Sequence, residues 1–352
     1  MDKNVALLVH LLTLSFGLPL VILAQDEIQC PNPSEIEPCV CEINSDFGYD
    51  ILLLDCSAVT STEELQVAFQ ADFPTPVVDE LLVRNATLDF LPAGVFGSKE
   101  LKKAIISESR LRSVDGNAFA GSEGSLTWLD LSENQLQEFP FEEILSGLTQ
   151  LSHLTLWRNS LSSIPSLSSQ SLLWLNLAFN QIPSTEAPLF SGLENLETLY
   201  IGGNPLTELP NGLVSPLGKL KDFDASNSFI SDLTVGSLIF QSDRVSSVSL
   251  NNNSIRAIEP GAIGGLSYDS WLWLGDNKLM ALEENTFRPI LQYFTNEYYG
   301  RIYVRNNPLL CECDMAWLFV NTSLLYHVEG NCWNGTDIWA MDQTYFEQNC
   351  FH

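Results

Sequence analysis

The sequence predicts an α/β solenoid, a horseshoe of about ten stacked coils with a concave parallel β-sheet and disulfide-stapled ends. Three observations predict it. A frame of apolar residues recurs about every 24 residues, an Asn holds a fixed place within that frame, and the eight cysteines are confined to the two ends.

The frame is clearest in Leu126 to Pro140, "LTWLDLSENQLQEFP". Leu126, Leu129, Leu131, Leu136 and Phe139 hold its first, fourth, sixth, eleventh and fourteenth positions, and Asn134 the ninth. Copies start at Leu151, Leu172, Leu196, Val245 and Asp269, with Asn159, Asn180, Asn204, Asn253 and Asn277 at position nine. Weaker copies start at Val78, Leu101 and Leu220, with Ala86, Ser109 and Ser228 in place of Asn, and a last one ends at Asn307 and Leu309. Position nineteen, which did not set the frame, reads Phe96, Phe119, Ile144, Phe190, Val214, Leu238, Ile263 and Phe287. Every one is apolar, which predicts a second buried column. The short copy from Leu151 has Ser169 there instead.

These offsets resemble the leucine-rich repeat, "LxxLxLxxNxL". Side chains alternate across a strand, so positions four and six point into the core and positions three, five and seven point outward. The Asn at position nine sits where the chain turns, and its amide can satisfy backbone groups of adjacent coils. Ser can do part of this, and Ala none.

Stacked coils leave a bare apolar face at each end that must be covered. Cys30, Cys39, Cys41 and Cys56 lie at one end and Cys311, Cys313, Cys332 and Cys350 at the other, which reads as two disulfide-bonded caps in an exported chain. The long gaps between cysteines and the exported context oppose a zinc site. Lys3, the apolar run Val5 to Leu23 and the small Ala24 before "QDEIQ" have the layout of a secretory signal peptide. No second run of membrane-spanning length follows, and the ending "EQNCFH" lacks an anchor's apolar tail. The expected organisation is a signal peptide at 1–24, an N-terminal cysteine cap at 25–77, repeats at 78–310 and a C-terminal cysteine cap at 311–352. The expected location is extracellular. Sequons at Asn85, Asn252, Asn321 and Asn334 are candidate glycosylation sites on that route.

Outward positions carry the functional signal. Position three reads Glu80, Lys103, Trp128, His153, Trp174, Thr198, Asp222, Ser247, Trp271 and Arg301. Trp128, His153 and Trp174 fall on adjacent strands and should form one row, extended by Trp157, Phe179 and Tyr200, with Asp130, Glu133, Arg158 and Asn176 at its rim. Trp271, Trp273 and Tyr303 form a second cluster nearer the C-terminus. Exposed aromatic surface of this kind marks a protein-binding face. The competing reading is that the rings only pack on one another across strands.

Acidic residues outnumber basic ones 44 to 16, a formal charge of −28, which disfavours nucleic acid and other polyanions as partners. Catalysis finds no support: there is no HExxH, GxSxG or phosphate-binding glycine loop, and no catalytic residue, metal site or cofactor is expected. A stacked imidazole is the expected role of His153.

The N-terminal cap, the run "LRSVDGNAFAGS" and the ending "NPLLCECDMAWL" through Cys350 are similar to the crustacean non-catalytic subunits of Oplophorus-luciferin 2-monooxygenase. That resemblance implies a secreted accessory chain that binds a separate, small catalytic chain, which oxidises coelenterazine with emission of light. The C-terminal cap's likeness to extracellular leucine-rich-repeat caps implies the pairs Cys311 with Cys332 and Cys313 with Cys350. The N-terminal pairing stays open. An innate-immunity or cell-surface recognition protein using the same face is the alternative.

Overall fold

The computed structural model describes residues 28–45, 48–185, 189–295 and 299–351. The stretch read as a signal peptide lies outside them. A 13-stranded sheet runs the length of the described chain. It opens with an antiparallel pair, Val40–Asn44 and Ile51–Asp55, and continues in parallel from Val77–Arg84 to Val328–Glu329. The parallel pairing begins at Ile51–Asp55 and ends at Val328–Glu329, so both cysteine-rich ends contribute strands to the sheet.

The first two repeat coils carry eight-residue strands, Val77–Arg84 and Glu100–Ser107, and from Trp128–Asp130 to Arg301–Tyr303 each coil contributes a three-residue strand at positions three to five. Trp128–Asp130 is typical: Leu129 and Leu131 are fully buried and the flanking side chains face out. The position-nineteen residues are buried in all eight copies that have one, and form the back of the core. Ser169, in the short copy, is buried too. Its hydroxyl accepts hydrogen bonds from the amides of Ser171 and Leu172, and Ser168 bridges to Gly192. A polar turn there replaces an apolar plug.

The asparagines form a ladder inside the turn. Asn159 accepts from the Leu136 amide of the preceding coil at 3.0 Å and donates to the Leu131 and Leu156 carbonyls. Asn134, Asn180, Asn204, Asn253, Asn277 and Asn307 repeat this pattern. At Ser228 the ladder breaks. The amide of Leu206 turns back to its own Asn204 carbonyl, and the Ser228 hydroxyl reaches only Ser226.

Position eight holds a feature that the apolar frame does not index. Asn85, Glu108, Glu133, Arg158, Phe179, Asn227, Asn252, Asp276 and Asn306 all have φ between 51° and 59°, and Gly203 has 69°. This left-handed residue turns the chain out of each strand, although it costs a side-chain-bearing residue about 1–2 kcal/mol. Three residues on, the position-eleven amide donates to the Asn of the next coil, as Leu136 does to Asn159, so the strain is compensated by buried hydrogen bonds.

The convex side is irregular, with short bridged segments and two longer helices, Phe141–Gly147 and Glu284–Phe294. At the N-terminal end Phe69 packs on Phe96, which packs on Phe119, with centroids 5.0 and 5.4 Å apart. At the other end Trp317 is buried and donates its indole N–H to the Leu282 carbonyl of the last long coil. Disulfides Cys30–Cys41 and Cys39–Cys56 hold the first cap, and Cys311–Cys332 and Cys313–Cys350 the second. The C-terminal pairs are those the resemblance implies. Among the described residues no cysteine is free, and no helix is long and apolar enough to cross a membrane.

Candidate functional site: the concave aromatic face

The strand register brings position three of every coil into one line. Lys103 pairs with Trp128, Trp128 with His153, His153 with Trp174, and Trp174 with Thr198. Position five gives a second line, in which Asp130, Thr155, Asn176 and Tyr200 follow one another.

In the first cluster, His153 stacks on Trp128 with centroids 4.5 Å apart. Trp174 lies 6.2 Å from both rings, although it is two strands from Trp128. Two strand spacings would separate them by about 9.6 Å on a flat sheet. The three rings lean together into a triangle instead of a straight row. Tyr200 meets Trp174 edge-on at 5.7 Å, and Trp157 meets Phe179 edge-on at 6.2 Å. The rings pack on one another across strands, while Trp128, His153, Trp157, Trp174 and Tyr200 stay half-exposed and Phe179 exposed.

Cations border this cluster. Lys103 lies over the Trp128 ring at 5.6 Å while pairing with Glu80, and Arg158 lies over Trp157 at 4.4 Å and over Phe179 at 5.8 Å while pairing with Glu133. The Phe179 ring occupies the space above Gly203, where a Cβ would come within 2.7 Å of it. Asp130 is committed locally and accepts from the Ser132 amide at 2.8 Å. The Trp128 indole N–H is buried without a hydrogen-bond partner, so stacking sets that ring's orientation.

Burial lowers the pKa of His153 below the usual imidazole value and keeps the ring neutral at pH 7. The Tyr200 phenol is shifted upward, first by burial and then by the charges of Asp222 and Asp224.

The second cluster is tighter. Trp273 and Tyr303 stack at 4.0 Å with planes 9° apart, and Trp271 lies 5.5 Å from each. The C-terminal cap extends it: Arg301 lies over Tyr326 at 4.2 Å, and Tyr326 meets Trp339 at 5.9 Å. Tyr326 and Trp339 lie outside the repeat frame, so the sequence pattern gives no sign of them. Burial and then Glu329 shift the Tyr303 phenol upward.

Of the four sequon asparagines, Asn85, Asn252 and Asn334 are exposed. Asn321 is half-buried and caps the short helix Thr322–Leu325. No group of three or more His, Cys, Asp or Glu among the described residues could hold a metal ion.

Two family models, each described as leucine-rich repeat, match residues 125–147 and 149–206. The chain is 31% identical to the Oplophorus-luciferin 2-monooxygenase non-catalytic subunit of Oplophorus gracilirostris, over 99% of this chain and 95% of that protein. The chain belongs to that leucine-rich-repeat family. Bovine asporin is 24% identical over 60% of this chain, which spans half of asporin's length. Among solved structures, a chain from the octameric complex of Latrophilin 3, Unc5D and FLRT2 gives a TM-score of 0.68 at 20% identity, covering 85% of this chain and 90% of that one. A chain from the Drosophila Toll–Spatzle complex gives 0.59 at 20% identity, covering 75% of this chain and 41% of that one. These two likenesses concern the fold.

Proposed function

We propose that this family member is a secreted, non-enzymatic accessory subunit that docks a separate catalytic chain of luciferase type on its concave aromatic face. The near full-length similarity to a protein named as a non-catalytic subunit carries this reading. The clustered, half-exposed rings of Trp128, His153 and Trp174 support the choice of face, since Trp and Tyr clusters anchor protein interfaces. Trp157, Phe179 and Tyr200 extend the anchor, and Trp271, Trp273 and Tyr303 provide a second one.

The test is to isolate the native protein gently and identify by mass spectrometry any chain that co-elutes in fixed ratio. A small coelenterazine-oxidising chain, whose binding weakens on replacing Trp128 and Trp174 with Ala, is the expected result. A chain that elutes alone, or carries bacterial glycan or lipid, overturns the reading in favour of a recognition protein. Glycans at Asn85, Asn252, Asn321 or Asn334 in the same spectra would mark passage through the secretory route.

A further inference from the structure

Between the two aromatic clusters the concave face changes character. The strands Asp222–Asp224 and Ser247–Ser249 present short side chains, with Asp222 paired to Ser247 and Asp224 to Ser249. Tyr200 stands beside Asp224 on one side, and Trp273 beside Ser249 on the other. Three strand spacings, about 14 Å, separate the backbone positions of Tyr200 and Trp273 across the sheet, room for one extended chain between the aromatic residues. The result is a trough with an acidic floor.

Among the described residues no ion pair compensates its charge. Lys221, next to Asp222 in sequence, is held by Glu197 at 2.7 Å, and among the described residues no Lys or Arg pairs with Asp222 or Asp224. Each carboxylate has one protein donor: the Ser246 hydroxyl at 3.0 Å on Asp222, and the Ser226 amide at 2.7 Å on Asp224. A second oxygen on each is left for an incoming group. The Tyr200 phenol on the wall is shifted upward first by burial and then by the charges of both carboxylates. Among the described residues no third carboxylate, His or Cys joins them to make a metal site.

We propose that this trough seats an extended segment of a partner protein bearing an arginine or lysine side chain, which lies over Asp222 and Asp224 between Tyr200 and Trp273. The inference rests on the reading of the concave face as a docking surface. A guanidinium there gains charge-assisted hydrogen bonds from the floor and cation–π contacts from the walls. Nucleic acid and anionic lipid surfaces are repelled by the same charges and by the chain's net −28.

The probe is a pair of ten-residue extended peptides, Leu-rich and identical except for a central Arg or its neutral analogue citrulline, titrated against the purified chain by tryptophan fluorescence. The Arg peptide should bind at least tenfold more tightly at low salt. That preference should vanish in Asp222→Asn with Asp224→Asn, both near-isosteric, and in Ser247→Lys, which puts an ammonium beside Asp222. Equal binding of the two peptides, no measurable binding of either, or a preference that survives both variants overturns the proposal. The docking reading fails separately, if Trp128→Ala with Trp174→Ala leaves native partner binding unchanged. Loss of native partner binding in that variant, together with equal binding of the two peptides, would confine docking to the aromatic rings.

Discussion

His153 lies face to face with Trp128, their ring centroids 4.5 Å apart and their planes 14° apart, on strands paired residue for residue. The contact buries a titratable ring against apolar surface, which links the face to pH. Burial lowers the folded-state pKa of His153 below the ordinary imidazole value of about 6.5. The unfolded chain therefore binds the proton more readily than the folded one. The stability from the neutral ring is present above pH 6.5 and is lost as pH falls toward the lowered folded value. His327 in the C-terminal cap is shifted in the same direction, again chiefly by burial. The thermal midpoint should fall below pH 6.5, and His153→Gln should remove part of that fall while His327 supplies the rest. A His153 imidazole signal that titrates at or above the free value in NMR would refute this.

Replacing Trp128 and Trp174 together with Ala should weaken partner binding by about 2 kcal/mol or more, roughly 30-fold, with secretion retained. The Trp128 indole N–H has no acceptor to lose, so Trp128→Phe should keep the stack and most of the binding. Calorimetric titration against the co-purified partner separates the two variants. Equal losses in Phe and Ala would mean that the N–H, rather than the ring face, makes the contact.

Asn159→Ala should destabilise the chain by about 3 kcal/mol, because the Leu136 amide and the Leu131 and Leu156 carbonyls lose buried partners. Ser228→Asn should act in the opposite direction by about 1 kcal/mol, supplying the missing acceptor for the Leu206 amide. Urea melts of both variants test the pair. A destabilising Ser228→Asn would show that the local turn at Leu206 cannot relax into the ladder.

Gly203→Ala should lower stability by about 1–2 kcal/mol for its left-handed backbone alone. It should also push the Phe179 ring off its seat and disturb the edge-on contact with Trp157. A shift in tryptophan emission with little change in circular dichroism is the expected signature. Unchanged emission would place the Phe179 ring elsewhere.

Much of this architecture was legible in the sequence because one frame dictates both halves of it. The leucines that fix the inward positions also fix which residues align outward, so the line from Lys103 through Trp174 followed without coordinates. The left-handed column did not follow, because Glu133, Arg158 and Phe179 are not residue types that announce a positive φ. The triangle of Trp128, His153 and Trp174 depends on how long side chains lean across a curved sheet, which strand spacing alone leaves open. Tyr326 and Trp339 join the second cluster through the folding of a cap that has no repeat to index it.

The ring triangle spans three consecutive coils, whereas the core needs only that each coil match its neighbours. Duplicating a coil between Trp128 and Trp174 would leave the solenoid foldable and pull the rings one strand further apart. Gene-level growth of such a chain is therefore tolerated between the caps and the ring triangle and constrained within the triangle, where the count of repeats sets the geometry of the proposed docking face.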